Sequence, residues 1–107
     1  MTTFDKREEG FEKKFALDEE QKFKAEARRN KLLGLWVAGQ LGLSGDEANA
    51  YAREVVTAEF GEGRDANVVR KVMGDLTAKG IAVTEAQIGA RMDELMAQAI
   101  VQVKAGT

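Results

Sequence analysis

The seventeen residues from Phe23 to Gly39 read FKAEARRNKLLGLWVAG and set the fold class of the whole chain. On a wheel of 3.6 residues per turn, Leu32, Leu33, Trp36, Val37 and Leu41 form one broad apolar face, with Lys24, Arg28 and Lys31 recurring away from most of it. This is an amphipathic helix in need of partners, and the rest of the chain supplies them. No run alternates in the way a strand would, there is no Pro, and Gly is the main punctuation. Such a pattern predicts helices joined by short glycine turns.

The chain in order predicts four helices, at about 18–41, 45–60, 65–79 and 84–103. The first is about 36 Å long. It carries Glu20, Lys24 and Arg28 in acid-before-base order, and Gly42 stops it. Ser44 and Glu47 have the spacing of a capping box for the second helix, whose inner face is Ala48, Tyr51, Ala52, Val55 and Val56. Asp65 is placed to cap the third, with Val69, Val72, Met73 and Leu76 as its stripe up to Gly80. Thr84 and Gln87 form another capping-box pair, and Ile88, Met92, Leu95, Ala99 and Val103 run along one side of the fourth helix. Short loops between four such helices imply a compact all-α four-helix bundle over 18–107. Gly34, Gly39, Gly74 and Gly89 fall inside helices, at roughly 1 kcal/mol each relative to Ala, and offer close helix approach in return.

Residues 1–17 are different. They are charged and sparsely apolar, yet Phe4, Phe11 and Phe15 are spaced by seven and four residues and share one side of a helical wheel. Three rings bury too little area to offset the entropy of ordering such a segment. It is expected to protrude from the bundle, partly disordered, and to become helical on a partner.

Charge and composition narrow the function. At 107 residues there is room for one small core and no second domain. The net charge of -2 conceals a basic band: residues 21–31 carry +4, between segments of -3 on either side. Without Cys there are no disulfides or thiolate metal sites, the opening has no signal-peptide core, and no run approaches a membrane span; a cytoplasmic protein without membrane insertion is the expectation. The chain also has no His, the commonest general base and metal ligand. Ser44 and Thr84 are accounted for as caps. Asp46, Glu47, Glu54, Glu59, Asp93 and Glu94 fit solvated faces or first turns better than a catalytic pair. GEGR at 61–64 is a turn and not a phosphate loop. The expectation is a non-enzyme without a metal site or a required cofactor.

The basic band admits two readings. Lys22, Lys24, Arg28, Arg29 and Lys31 could neutralise phosphates, with Phe23 or Trp36 stacking on a base, which outlines a small module that binds nucleotide or nucleic acid weakly. Against nucleic acid stand an acidic chain and a Trp on the core face. A weak adenine-nucleotide contact is the form that survives. Arg29 lies with Leu33 and Trp36 on the wheel, so a salt bridge to an acidic partner at the bundle rim is its expected role. Met73, Met92 and Met96 fit core filling.

The run FKAEARRNKLLGLWVAG, preceded by MTTFDKREEGFEKKFA, resembles the zeta subunit of alpha-proteobacterial F-type ATP synthase, an inhibitor of the ATPase motor. The similarity is densest from Thr3 to Leu41, continues through AYAREVVTAEF and Val68 to Leu76, and departs in detail at Lys79 to Val83. It implies a four-helix bundle whose N-terminal segment enters the catalytic interface between the alpha and beta subunits and approaches the gamma stalk. Phe4 and Phe11 would then be anchors and Phe15 the join to the bundle. Asp5, Lys6, Arg7, Glu8, Glu9, Glu12 and Lys14 would supply polar contacts along the segment. The resemblance further implies a monomer when isolated, found at the cytoplasmic face of the inner membrane when bound to the synthase.

Overall fold

The computed structural model describes residues 17–106. Four helices follow one another: α1 (Glu19–Gln40), α2 (Gly45–Ala58), α3 (Asp65–Ala78) and α4 (Glu85–Lys104). There is no strand among the described residues. Helix α1 lies between α2 and α4, packing along both, and also touches α3.

The helix ends follow from local chemistry. Helix α1 opens with a capping box in which the Gln21 amide donates to the Asp18 carboxylate at 2.7 Å and the Asp18 amide to the Gln21 side chain at 3.3 Å. The expected box of Thr84 and Gln87 forms at α4, with the matching bonds at 3.1 and 2.9 Å. Helices α1 and α3 stop at left-handed glycines. Beyond Gly42 (φ 81°) the Leu43 amide returns to Ala38 O, and beyond Gly80 (φ 82°) the Ile81 amide returns to Leu76 O.

Two expected caps do not form. Ser44 precedes α2 but makes no side-chain cap bond, because the left-handed Gly45 (φ 56°) that opens the helix sets the turn instead. Asp65 is the first residue of α3 and not its cap; Arg64 stands at the cap position, and the Asp65 carboxylate turns to Arg29. Helix α2 also stops at Ala58, short of the expected Phe60, which frees Glu59 to turn inward.

The core draws on all four helices. Leu33, Val37 and Ala38 of α1 meet Tyr51 and Val55 of α2, Val68, Val72 and Leu76 of α3, and Ile88, Met92 and Leu95 of α4. The α3 stripe is rotated slightly from the expected one, with Val68 fully buried and Val69 and Met73 at its flank. Trp36 packs on the core edge, and the Arg91 guanidinium lies over its ring at 4.7 Å. At the α2–α3 seam the Tyr51 hydroxyl donates to Asp75 at 2.7 Å, and Lys71 reaches both Glu54 and Asp75 at 3.2 Å.

Of the helical glycines, one bears on packing. A Cβ at Gly34 would stand 2.6 Å from the Ala52 Cα and 3.2 Å from the Val55 Cβ, so α1 and α2 approach through this point. Gly39, Gly74 and Gly89 would meet nothing within 4 Å. Gly34→Ala is therefore expected to lower stability by about 2 kcal/mol, since backbone cannot yield as a side chain does. Gly74→Ala, on an exposed face of α3, should raise it by up to about 1 kcal/mol. Denaturant unfolding of both variants tests the pair, and equal effects at the two sites would contradict the packing at Gly34.

Candidate functional site

The N-terminal positions singled out from the sequence, Phe4, Asp5, Lys6, Arg7, Glu8, Glu9, Phe11, Glu12, Lys14 and Phe15, lie outside the described residues. The first described residue, Leu17, stands just ahead of the Asp18 cap of α1. The site that the structure does show is therefore built on the first half of α1 and what packs against it.

The basic band divides there. Lys22, Lys24 and Lys31 are exposed, and Lys24 pairs with Glu20 at 3.1 Å. Arg28 is half-buried and donates to Gln102 of α4 at 2.9 Å. Lys24, Arg28 and Lys31 line one shallow groove with Val56, Val103 and Gly106. Arg29 leaves this group altogether. It points inward, 6% exposed, and its guanidinium is committed to carboxylates of the same chain.

That commitment forms a buried polar cluster. Arg29 donates to both Asp65 oxygens, at 2.7 and 3.4 Å, to Glu59 Oε2 at 3.2 Å, and through Nε to Asn30 Oδ1 at 3.1 Å. The Asn30 amide donates to the same Glu59 oxygen. One guanidinium thus serves two carboxylates of different burial, and their acidities part. Burial pushes the Glu59 carboxyl above its ordinary 4.5, outweighing the Asn30 hydrogen bond and the Arg29 charge that favour ionisation. Partial burial also works upward on Asp65, but the Arg29 hydrogen bond and charge prevail and hold it below its ordinary 3.8.

Above this cluster, between α1 and the α2–α3 turn, lies a groove of about 150 Å³. Phe23 and Phe60 stand at it, 60% and 62% exposed, with Glu26, Asn30, Glu59 and Arg64 among its lining. Glu59 Oε1 receives no hydrogen bond among the described residues. Arg64 comes to 3.7 Å of it while bonding Glu26 at 2.8 Å. No group of three or more His, Cys, Asp or Glu among the described residues is arranged to hold a metal ion.

The expected salt bridge of Arg29 is present. Glu59, however, does not sit on a solvated face as its spacing suggested, and Asn30 and Phe60 drew no functional attention from the sequence. One signal was available: Arg29 and Asn30 interrupt the stripe of Ala25, Leu33 and Val37, and adjacent polar residues within a buried stripe require buried polar partners.

A family model described as ATPase inhibitor subunit zeta matches residues 1–102 of the chain. A protein structure determined by solution NMR is 56% identical to it, with a TM-score of 0.69 over 79% of this chain and 96% of that chain. No curated protein matches.

The raised pKa of Glu59 has a definite sign for stability. A carboxyl that holds its proton more tightly when folded contributes stability fully present below about 4.5 and lost as the pH rises through its folded value. Against a Glu59→Gln reference, which has no such titration, the native chain should gain stability as the pH falls from 7 toward about 4.5. Denaturant midpoints of the two proteins across that range measure it. A native chain that instead loses ground on acidification would show the ionised form to be the one preferred at this position.

Proposed function

Because the chain belongs to the ATPase inhibitor subunit zeta family, we propose that it stops an F-type ATPase mechanically, with residues 1–17 as the blocking element. The family role is that of a non-catalytic inhibitor, so no bond is made or broken by this protein. The observation behind the finer reading is that the family match begins at residue 1 and so takes in the phenylalanine-bearing segment together with the bundle.

In this reading the segment folds into a helix at the catalytic interface of the alpha and beta subunits, near the gamma stalk. Phe4 and Phe11 are its apolar anchors. Buried aromatic rings supply most of the energy of such a contact, while Asp5, Lys6, Arg7, Glu8, Glu9, Glu12 and Lys14 steer it and fix its register. Phe15 joins the helix to the bundle. A wedge that must leave before the interface can change shape halts rotation driven by hydrolysis. The bundle serves as the body that holds the wedge, bound at the cytoplasmic face of the inner membrane. No described helix is long and apolar enough to cross that membrane.

Deleting residues 1–14 should leave the helical circular dichroism of the bundle nearly intact and abolish inhibition of the purified ATPase. Undiminished inhibition by the shortened chain would reject the reading. Phe4→Ala with Phe11→Ala should weaken inhibition chiefly through faster release, as interface substitutions usually do. An unaltered dissociation rate would show that the rings are not anchors.

A second reading has one observation behind it. Lys24, Arg28 and Lys31 share a groove, which gives a weak adenine-nucleotide contact a place for its phosphates. Calorimetric titration with ADP should then detect weak binding that disappears when all three are changed to Gln. Affinity that survives the triple change removes this reading.

A further inference from the structure

The groove between Phe23 and Phe60 is not used by the leader mechanism, and its composition is unusual for a bare surface. Among the described residues the large apolar side chains that stand most in water are Phe23, Phe60 and Val101, and two of the three meet at this one groove. Beneath them lies Glu59, 8% exposed, with an oxygen that accepts nothing. A buried acceptor without a donor is uncommon in folded proteins and carries a desolvation cost. Arg64 pairs with it only at 3.7 Å, beyond hydrogen-bond reach, while bonding Glu26 at 2.8 Å. Two phenyl walls over an unused carboxylate oxygen call for an apolar body with a cationic N–H donor beside it.

Position selects the occupant. Phe23 lies five residues into the helix from the Asp18 cap, about 8 Å along its axis. Resting on the reading that residues 1–17 enter the ATPase, the groove then stands beside the point of entry, against the enzyme's own wall. While those residues are engaged they cannot fill it themselves. We propose that the Phe23–Phe60 groove is a second contact with the ATPase, receiving a surface element of that enzyme that presents a lysine or arginine next to an apolar side chain. The apolar side chain lies between the rings, and the cation reaches Glu59 Oε1. Such a contact would hold the bundle in one orientation at the mouth of the interface, so that the inserted helix cannot swivel out. Fully desolvated aromatic anchors with a paired charge are the usual composition of the residues that dominate an interface.

The test uses the full-length chain with the photoreactive residue benzoylphenylalanine at position 60, irradiated with the purified ATPase. The expected product is a covalent adduct to an ATPase subunit, at a peptide containing Lys or Arg. An adduct only to residues 1–16 of the same chain, an adduct only to a second copy, or no adduct each overturns the proposal. In parallel, the full-length Phe23→Gln, Phe60→Gln double variant should keep its thermal midpoint, since both rings are exposed, and leave the ATPase at least tenfold faster. Unchanged release overturns the proposal as well. Inhibition by the unmodified chain is measured on the same enzyme. If that chain does not inhibit, the proposed function fails; if it inhibits while position 60 gives no adduct, the groove alone fails.

Discussion

The arrangement of this bundle depends on one guanidinium. Arg29 projects from the middle of the central helix into the place where α2 ends and α3 begins, and it is the group that both of those ends need. Glu59 caps the end of α2 and Asp65 opens α3, so a single side chain fixes the turn between two helices against a third. A buried ion pair is weak support for stability on balance, because desolvation cancels much of the attraction. What it provides here is placement. A cation at the crossing of three elements penalises any packing that moves its carboxylates away, whereas an apolar side chain there would accept many.

The same cluster explains why the surface above it looks as it does. Two carboxylates compete for one guanidinium, and Asp65 takes the bidentate, better solvated position. Glu59 is left with one hydrogen-bonded oxygen and one that has only Arg64 at 3.7 Å. Turning Glu59 inward also turns the next residue, Phe60, outward, where it faces Phe23 across the groove. The buried polar cluster and the exposed aromatic pair are consequences of one chain reversal after Ala58.

Much of this was legible in the sequence, for reasons that can be named. The core stripes of α1 and α4 follow from 3.6-residue periodicity, and the stops at Gly42 and Gly80 from the left-handed conformation that each adopts. The Thr84–Gln87 box is local, so its spacing suffices. Ser44 and Asp65 show where local spacing fails. Each has the right residue type for a cap, but Gly45 reshapes the turn after the first, and a long-range partner takes the carboxylate of the second. Arg29 was placed by its wheel position, whereas Glu59 belongs to a helix end, where the wheel no longer applies. Phe60 was hidden for the same reason. The close approach at Gly34 was open in kind but not in place, since four helical glycines look alike until the crossing point of α1 and α2 is known.

The proposed division of labour between bundle and leader has an energetic logic. The described residues close a core with contributions from all four helices. In the proposed mechanism such a core matters, because each phenyl ring used to complete the bundle would be withdrawn from the contact with the motor. A blocking segment in that mechanism must also resist force, and three rings on so short a segment offer limited area for that. Holding the bundle at a second point would convert release from the departure of one short helix into the simultaneous loss of two contacts. For two sites joined by a short link, the second association occurs at a high effective concentration, so even a modest groove contact lengthens residence considerably. If both proposed contacts form, a small protein without catalytic chemistry gains its hold through geometry, with the turn around Arg29 setting the distance between the two points of attachment.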